Sequence, residues 1–206
     1  MRYILASKSP RRRELIGEII PEFEIITSEA DETLPEGIHP REGVEILAIR
    51  KGEGVAKANP DAIVISSDTL VELWGIPLGK PTDEKDAIRM LTDLSGKAHN
   101  VHTGVAIHVG SRVFSGVAST AVYFREMTEE EISDYVASGD SMDKAGSYGI
   151  QSGGGKFVEK IEGDYDTVVG LSLNLVKKLL NDAEKELGCA TYCKAGRTTK
   201  FALSGK

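Results

Sequence analysis

The chain has 206 residues, 40% of them hydrophobic, with 25 Lys and Arg against 32 Asp and Glu for a formal net charge of −7. That length holds one domain or two small lobes with enough apolar residues to bury a core. The acidic balance argues against a protein that coats nucleic acid or an anionic membrane, because such partners demand a broad surplus of Lys and Arg, so any phosphate binding must be local. At the start, MRYILASKSPRRREL sets a short apolar run before an Arg cluster, the reverse of a secretory signal. No uncharged apolar stretch approaches the roughly 20 residues that span a bilayer, and a cytoplasmic location is expected. Cys189 and Cys193 are the only cysteines, with no His nearby to complete a zinc site, and are expected to be reduced thiols without a structural role.

In chain order, Tyr3-Ile4-Leu5-Ala6 has the length of a buried strand. Ser9 then reads as an N-cap and Pro10 as the first residue of a helix whose apolar positions are Leu15, Ile16, Ile19 and Ile20. A second strand is expected at Phe23–Thr27, giving a β-α-β start. From Pro40 to about Ala58, Val44, Leu47, Ala48 and Val55 predict a helix weakened by Gly52 and Gly54. It leads into Asp61–Ser67, a central strand apolar on both faces. Thr82 is expected to cap a helix with Ala87, Ile88, Leu91 and Leu94 inward, stopping near Gly96. Residues 98–109 and 112–125 read as a long antiparallel hairpin about Gly110-Ser111. Thr128 and Glu131 form a capping box for a helix ending near Gly139. A Gly-rich loop at 149–155, which flexibility alone would explain, precedes a short strand near Phe157-Val158, and Leu171–Leu187 is the last strong helix. Residues 1–187 are taken as one domain and 188–206 as a peripheral tail.

Several positions carry chemistry. Ser7-Lys8-Ser9-Pro10-Arg11-Arg12-Arg13 is a turn whose amides begin a helix with three guanidiniums in its first turn. Amides and dipole attract an anion and Arg forks bind phosphate oxygens, whereas cations at a helix N-terminus are otherwise disfavoured. The alternative is a solvated basic turn. Asp68-Thr69 follows the apolar run Ile63-Val64-Ile65, at the carboxyl end of a strand, where ligands of open α/β sheets are met. A carboxylate there can hold a divalent metal or activate water, or merely cap a turn. Gly79-Lys80-Pro81 lacks the spacing of a P-loop, although Lys80 on a rigid turn can present a charge to phosphate. Gln151 offers both a donor and an acceptor, which suits a base edge carrying a carbonyl and an N–H. His99 and His102, three apart in a predicted strand, point to opposite faces and do not read as a metal pair.

Taken together, S-x-S-P-R-R near the N-terminus, S-D-T-L after a buried strand, L-G-K-P, and A-G-S-Y-G-I-Q before glycines closely resemble the Maf-like family of nucleoside triphosphate pyrophosphatases, also known as septum-formation inhibitors. The resemblance runs in order from about Tyr3 to Leu180. It implies an α/β fold with a mixed, elongated, twisted sheet, flanking helices and two lobes around a cleft, similar to the inosine triphosphate pyrophosphatases and generally dimeric. It also implies that Asp68 is the catalytic proton acceptor, with Lys80 and Glu32 beside it, and that Asp68, Glu32 and Asp83 surround a divalent metal, Mg or Mn. Ser7, Arg12, Arg13 and Lys51 match phosphate-binding positions, and Arg11, Thr69 and Gln151 match positions of base choice. Gln in the Gly-Ile-Gln context resembles the branch acting on dTTP and UTP. Thr167 and Ser172 depart from the family's usual Asn and Pro. The expected reaction is hydrolysis of the α–β phosphoanhydride to a monophosphate and pyrophosphate. The competing expectation is a nucleotide-binding regulator of cell division that acts through protein contacts.

Overall fold

The computed structural model describes residues 2–27 and 29–187. The predicted tail with Cys189 and Cys193 lies outside them. One mixed, seven-stranded sheet organises the molecule, built from β1 (Arg2–Leu5), β2 (Glu24–Ile25), β3 (Ala62–Leu73), β4 (Ile76–Leu78), β5 (Ala98–Val109), β6 (Arg112–Phe124) and β7 (Val158–Glu162). The strands lie in the order β2-β1-β3-β5-β6-β7, with β4 paired to the far end of β3. Neighbours among β1, β2 and β3 are parallel, and the remaining pairs are antiparallel. At about 3.3 Å per residue, β3, β5 and β6 extend roughly 40 Å, which makes the sheet elongated.

The β-α-β start and the long hairpin form as the patterns predict. Helix α1 (Pro10–Gly17) is capped by Ser9, whose hydroxyl accepts the Arg12 N–H, and α2 spans Pro40–Ala58. The capping box of Thr128 and Glu131 opens α4 (Glu129–Ala137). Side chains of β3 alternate between two faces. Ile63 and Ile65 join Leu15, Ile16, Leu171 and Val176 in one apolar core, while Val71 and Leu73 join Leu91, Tyr135 and Phe157 in a second. These are the two lobes. Between them the strand is polar: Ser66, Ser67, Asp68 and Thr69.

Helix α2 covers the other face, and its close seat depends on absent side chains. A Cβ at Gly104 would lie 2.4 Å from the Val44 carbonyl oxygen, and one at Gly52 would lie 2.4 Å from His108 Nε2 and 2.5 Å from Ser66 Oγ. Gly52 therefore does more than weaken the helix, since it lets α2 approach β3 and β5 and fixes the height of its neighbour Lys51.

Four further expectations change. Strand β3 continues to Leu73, so Asp68 and Thr69 sit within it, opposite Gly104 and Thr103 of β5, rather than after its end. Asp83, not Thr82, caps α3 (Glu84–Leu94), accepting the Asp86 N–H at 2.8 Å, and Met90 replaces Ile88 in the buried stripe. The last helix starts two residues later than expected, as α6 (Leu173–Leu187), and is preceded by an unpredicted short helix, α5 (Tyr165–Val169), which ends at Gly170 with a φ of +124°. The Ser172 hydroxyl accepts the Leu175 N–H at 3.3 Å, the capping bond that the missing Pro leaves open. The Gly-rich segment is a turn at 150–152 running into a 3-10 helix, Gly153–Phe157, rather than a loose loop.

Candidate active site

The site sits at a gap in the sheet. Strand β3 pairs with β5 over most of its length, but on its other edge β1 covers only Ala62–Ile65 and β4 only Val71–Leu73. Residues 66–70 between them, polar as far as Thr69, have no strand on that edge among the described residues. The N-terminal turn of α1 approaches the gap, because β1 ends at Leu5 and the chain turns through Ser7 and Ser9 into the helix.

Each polar residue of β3 finds a distant partner. On the α2 face, Ser66 donates to the Ala48 carbonyl at 2.7 Å, and Asp68, only 7% exposed, pairs with Lys51 three residues further along the helix. The Lys51 ammonium also lies 3.0 Å from Glu32 Oε1, so it bridges the two carboxylates. On the opposite face, Ser67 donates to the Gly170 carbonyl at 3.0 Å, and Thr69 Oγ1 lies 3.0 Å from Thr103 Oγ1.

Arg12 locks this arrangement. Its Nε donates to the Gly170 carbonyl at 2.8 Å, Nη1 to the Ser67 carbonyl at 2.8 Å, and Nη2 to Thr69 Oγ1 at 3.1 Å. Burial lowers the pKa of the guanidinium and nearby Asp68 raises it. The side chain read as a phosphate fork thus has most of its donors engaged by the protein and acts first as a brace across the gap.

A cleft of about 800 Å³ opens here, lined among others by Arg11, Arg12, Glu32, Lys51, Asp68, Thr69, Lys80 and Gln151. An adjoining hollow of about 530 Å³ shares five of these and adds Ser7 and Lys8. Such volumes suit a small-molecule ligand. Of the residues expected to act, two lie elsewhere. Arg13 is exposed on α1 and lines neither space, and the Asp83 carboxylate is occupied as the cap of α3. Among the described residues no group of three or more His, Cys, Asp or Glu is placed to hold a metal by itself. His99 and His102 face different partners, Tyr148 Oη at 2.8 Å in one case and Glu72 at 2.7 Å in the other. Burial pushes His99 down to about 4.

The structure adds a group that the motifs did not single out. Asp140, Asp143, Lys144, Tyr148 and Ser152 also line the cleft. Lys144 donates to Asp140 Oδ1 at 3.0 Å and to Asp143 Oδ1 at 2.6 Å, and Arg11 Nη1 lies 3.7 Å from Asp143 Oδ2. Asp143-Lys144 directly precedes the Ala-Gly-Ser-Tyr-Gly-Ile-Gln motif, and that adjacency was the available signal.

Comparison with known proteins fits this geometry. The model of the family described as Maf-like protein matches residues 2–183, nearly all of the described chain. The chain belongs to the Maf-like family. A dTTP/UTP pyrophosphatase of Bacillus cereus (strain B4264) is 49% identical over 177 residues, covering 85% of this Maf-like chain and 93% of that protein. A protein of the same name from Bacillus thuringiensis subsp. konkukian (strain 97-27) is likewise 49% identical over 177 residues, with the same 85% and 93% coverage. Among solved structures, the Staphylococcus aureus Ham1 protein is 17% identical, covering 91% of this chain and 98% of that one, with a TM-score of 0.46.

Proposed function

We propose that this protein is a nucleoside triphosphate pyrophosphatase that cleaves the α–β phosphoanhydride of dTTP and UTP, releasing the monophosphate and pyrophosphate. The observation that carries the reading is the buried carboxylate of Asp68, held by Lys51 in a cleft whose walls also present Arg11, Arg12 and Lys80. A polyanion is drawn into such a space, and one carboxylate within it is placed to take a proton. The 49%-identical relatives named dTTP/UTP pyrophosphatase support the same substrate class.

In this mechanism Asp68 accepts a proton from a water whose oxygen bonds the α-phosphorus. The bond from that phosphorus to the bridging oxygen breaks, and pyrophosphate leaves. Lys51 orients the Asp68 carboxylate, while Lys80 balances charge gathering on the leaving group. Two unit charges about 4 Å apart attract by roughly 1 kcal/mol in water but about 4 kcal/mol at an effective dielectric of 20, so closure of the cleft on its ligand multiplies each contact. Asp68 and Glu32 approach one ammonium closely enough to share it, and two converging hard-oxygen donors fit Mg or Mn when substrate phosphates complete the shell. An ion held there would supply further neutralisation of phosphate oxygens. Homodimerisation, implied by the resemblance, and the cytoplasmic location expected from the sequence belong to the same reading.

The test is product identification with UTP and dTTP, in Mg or Mn and in chelator. Monophosphate with pyrophosphate is expected, and lost in chelator. Orthophosphate with a diphosphate, or no turnover of either nucleotide, would overturn the reading.

A further inference from the structure

Gln151 lines the cleft yet makes no side-chain hydrogen bond among the described residues, so its direction is set by the backbone that carries it. That backbone is clamped on both sides of Gln151 by a single carboxylate. Asp140 Oδ2 accepts from Ser152 Oγ at 2.6 Å and from Tyr135 Oη at 2.7 Å. Tyr135 Oη in turn accepts the Gly149 N–H at 3.1 Å. Gly149 and Ser152 flank the two residues Ile150 and Gln151, so both ends of the short segment are tied to α4 and the loop after it.

Packing closes the segment from beneath. A Cβ at Gly155 would lie 2.4 Å from the Ile150 carbonyl oxygen, and Ile150 packs against both apolar cores. Asp140 also reaches the opposite wall. Lys144 donates to its carbonyl at 2.5 Å and its Oδ1 at 3.0 Å, then to Asp143, which faces Arg11 across 3.7 Å. A chain of hydrogen bonds closed by one ion pair therefore runs from the segment carrying Gln151 to Arg11, two side chains on separate elements that border the same space.

We infer that Asp140 is a positioning residue for base selection, fixing the placement of Gln151 through Ser152 and Tyr135 and that of Arg11 through Lys144 and Asp143. The inference rests on the proposed pyrophosphatase activity and deepens it. A carboxylate suits the task because it accepts from three donors at once, and charge-assisted bonds hold geometry more firmly than neutral ones. Asp140 does not touch the reacting phosphates in this account, so its loss acts on recognition of the base.

The experiment compares steady-state kinetics of the full chain and of Asp140→Ala, Asp140→Asn, Tyr135→Phe and Ser152→Ala with UTP and with ATP. Loss of one positioning network is expected to raise KM for UTP about tenfold in Asp140→Ala while kcat changes by less than about twofold. The preference for UTP over ATP should fall by the same factor. Asp140→Asn keeps an oxygen acceptor for Ser152 and Tyr135, and is expected to restore most of the preference. Tyr135→Phe and Ser152→Ala each remove one tie and should fall between; they carry the test if Asp140→Ala does not fold. An unchanged UTP-to-ATP ratio in folded variants, or an equal fall of kcat for both nucleotides, would overturn the inference. If the unsubstituted chain turns over neither nucleotide, it is the pyrophosphatase reading that has failed.

Discussion

Replacing Arg12 by Lys keeps the charge and removes the fork, and its cost follows from the acceptors left behind. Three well-formed bonds are lost, to the carbonyls of Gly170 and Ser67 and to Thr69 Oγ1. The Gly170 carbonyl keeps Ser67 Oγ at 3.0 Å as a donor, whereas the Ser67 carbonyl loses its strong donor at an edge that carries no strand. An ammonium on a flexible stem can replace one of these bonds but cannot span both carbonyls and the threonine. Hydrogen bonds from a charged donor contribute about 1.5–3 kcal/mol each, and an abandoned buried acceptor costs about 1–3 kcal/mol, so a net loss of about 3–5 kcal/mol is expected after partial rescue. In a domain of this size that corresponds to a fall in Tm of about 10 °C. Urea unfolding of both proteins, with the m value checked for constancy, measures the loss directly. Activity below the transition should fall as well, because Ser67 and Thr69 flank Asp68. A loss under about 1 kcal/mol would refute the brace and return Arg12 to the role of a phosphate fork.

Further expectations are independent of that brace. Gly52→Ala should destabilise the fold by about 1–2 kcal/mol, since overpacking against His108 and Ser66 outweighs the gain in helix propensity of about 1 kcal/mol; a stabilised variant in urea unfolding would contradict the close seat of α2. Burial holds His99 at about 4, below its ordinary 6.5, so the unfolded chain takes up its proton first as pH falls. This contribution is complete above pH 6.5 and is lost between 6.5 and about 4, amounting to about 3 kcal/mol at most. Stability measured at pH 7 and 4.5 should therefore drop less in His99→Gln than in the parent chain, and equal drops would remove His99 from the account. Gln151→Ala should reduce turnover of dTTP and UTP more than that of purine nucleotides, and a uniform reduction in kcat/KM would assign it a structural role instead.

Elements held together by neighbours in sequence were legible before any coordinates. Ser9 and Pro10 open α1, Thr128 and Glu131 open α4, and the alternation on both sides of Gly110-Ser111 makes a hairpin, because each signal lies within a few residues. The middle of β3 was not. Ser66-Ser67-Asp68-Thr69 reads as the end of a strand, since its polar side chains find partners such as Ala48, Lys51, Gly170 and Thr103, which the sequence does not bring near. The same separation hid the brace: Arg12 looks like an anion fork until Ser67 and Gly170 are placed beside it. Asp83 is the reverse case, a carboxylate that the resemblance places at a metal but that caps its own helix, one position from where Thr82 drew attention. Asp140 has no periodic signal at all, and the meeting of α4 with the glycine-rich turns is what brings Tyr135 and Ser152 to it. What resemblance added was the grouping of Asp68, Lys51, Glu32, Lys80, Arg11 and Gln151, and the cleft brings those six together.

The central claim is that Asp68 takes the proton from the attacking water, and Asp68→Asn tests it most directly because the shape is retained and the base removed. Turnover of UTP to monophosphate and pyrophosphate, followed by product separation, should fall by about 10²–10⁴ in kcat while UTP still binds, as measured by calorimetry. Retained turnover in the folded variant, with the same products, would contradict it.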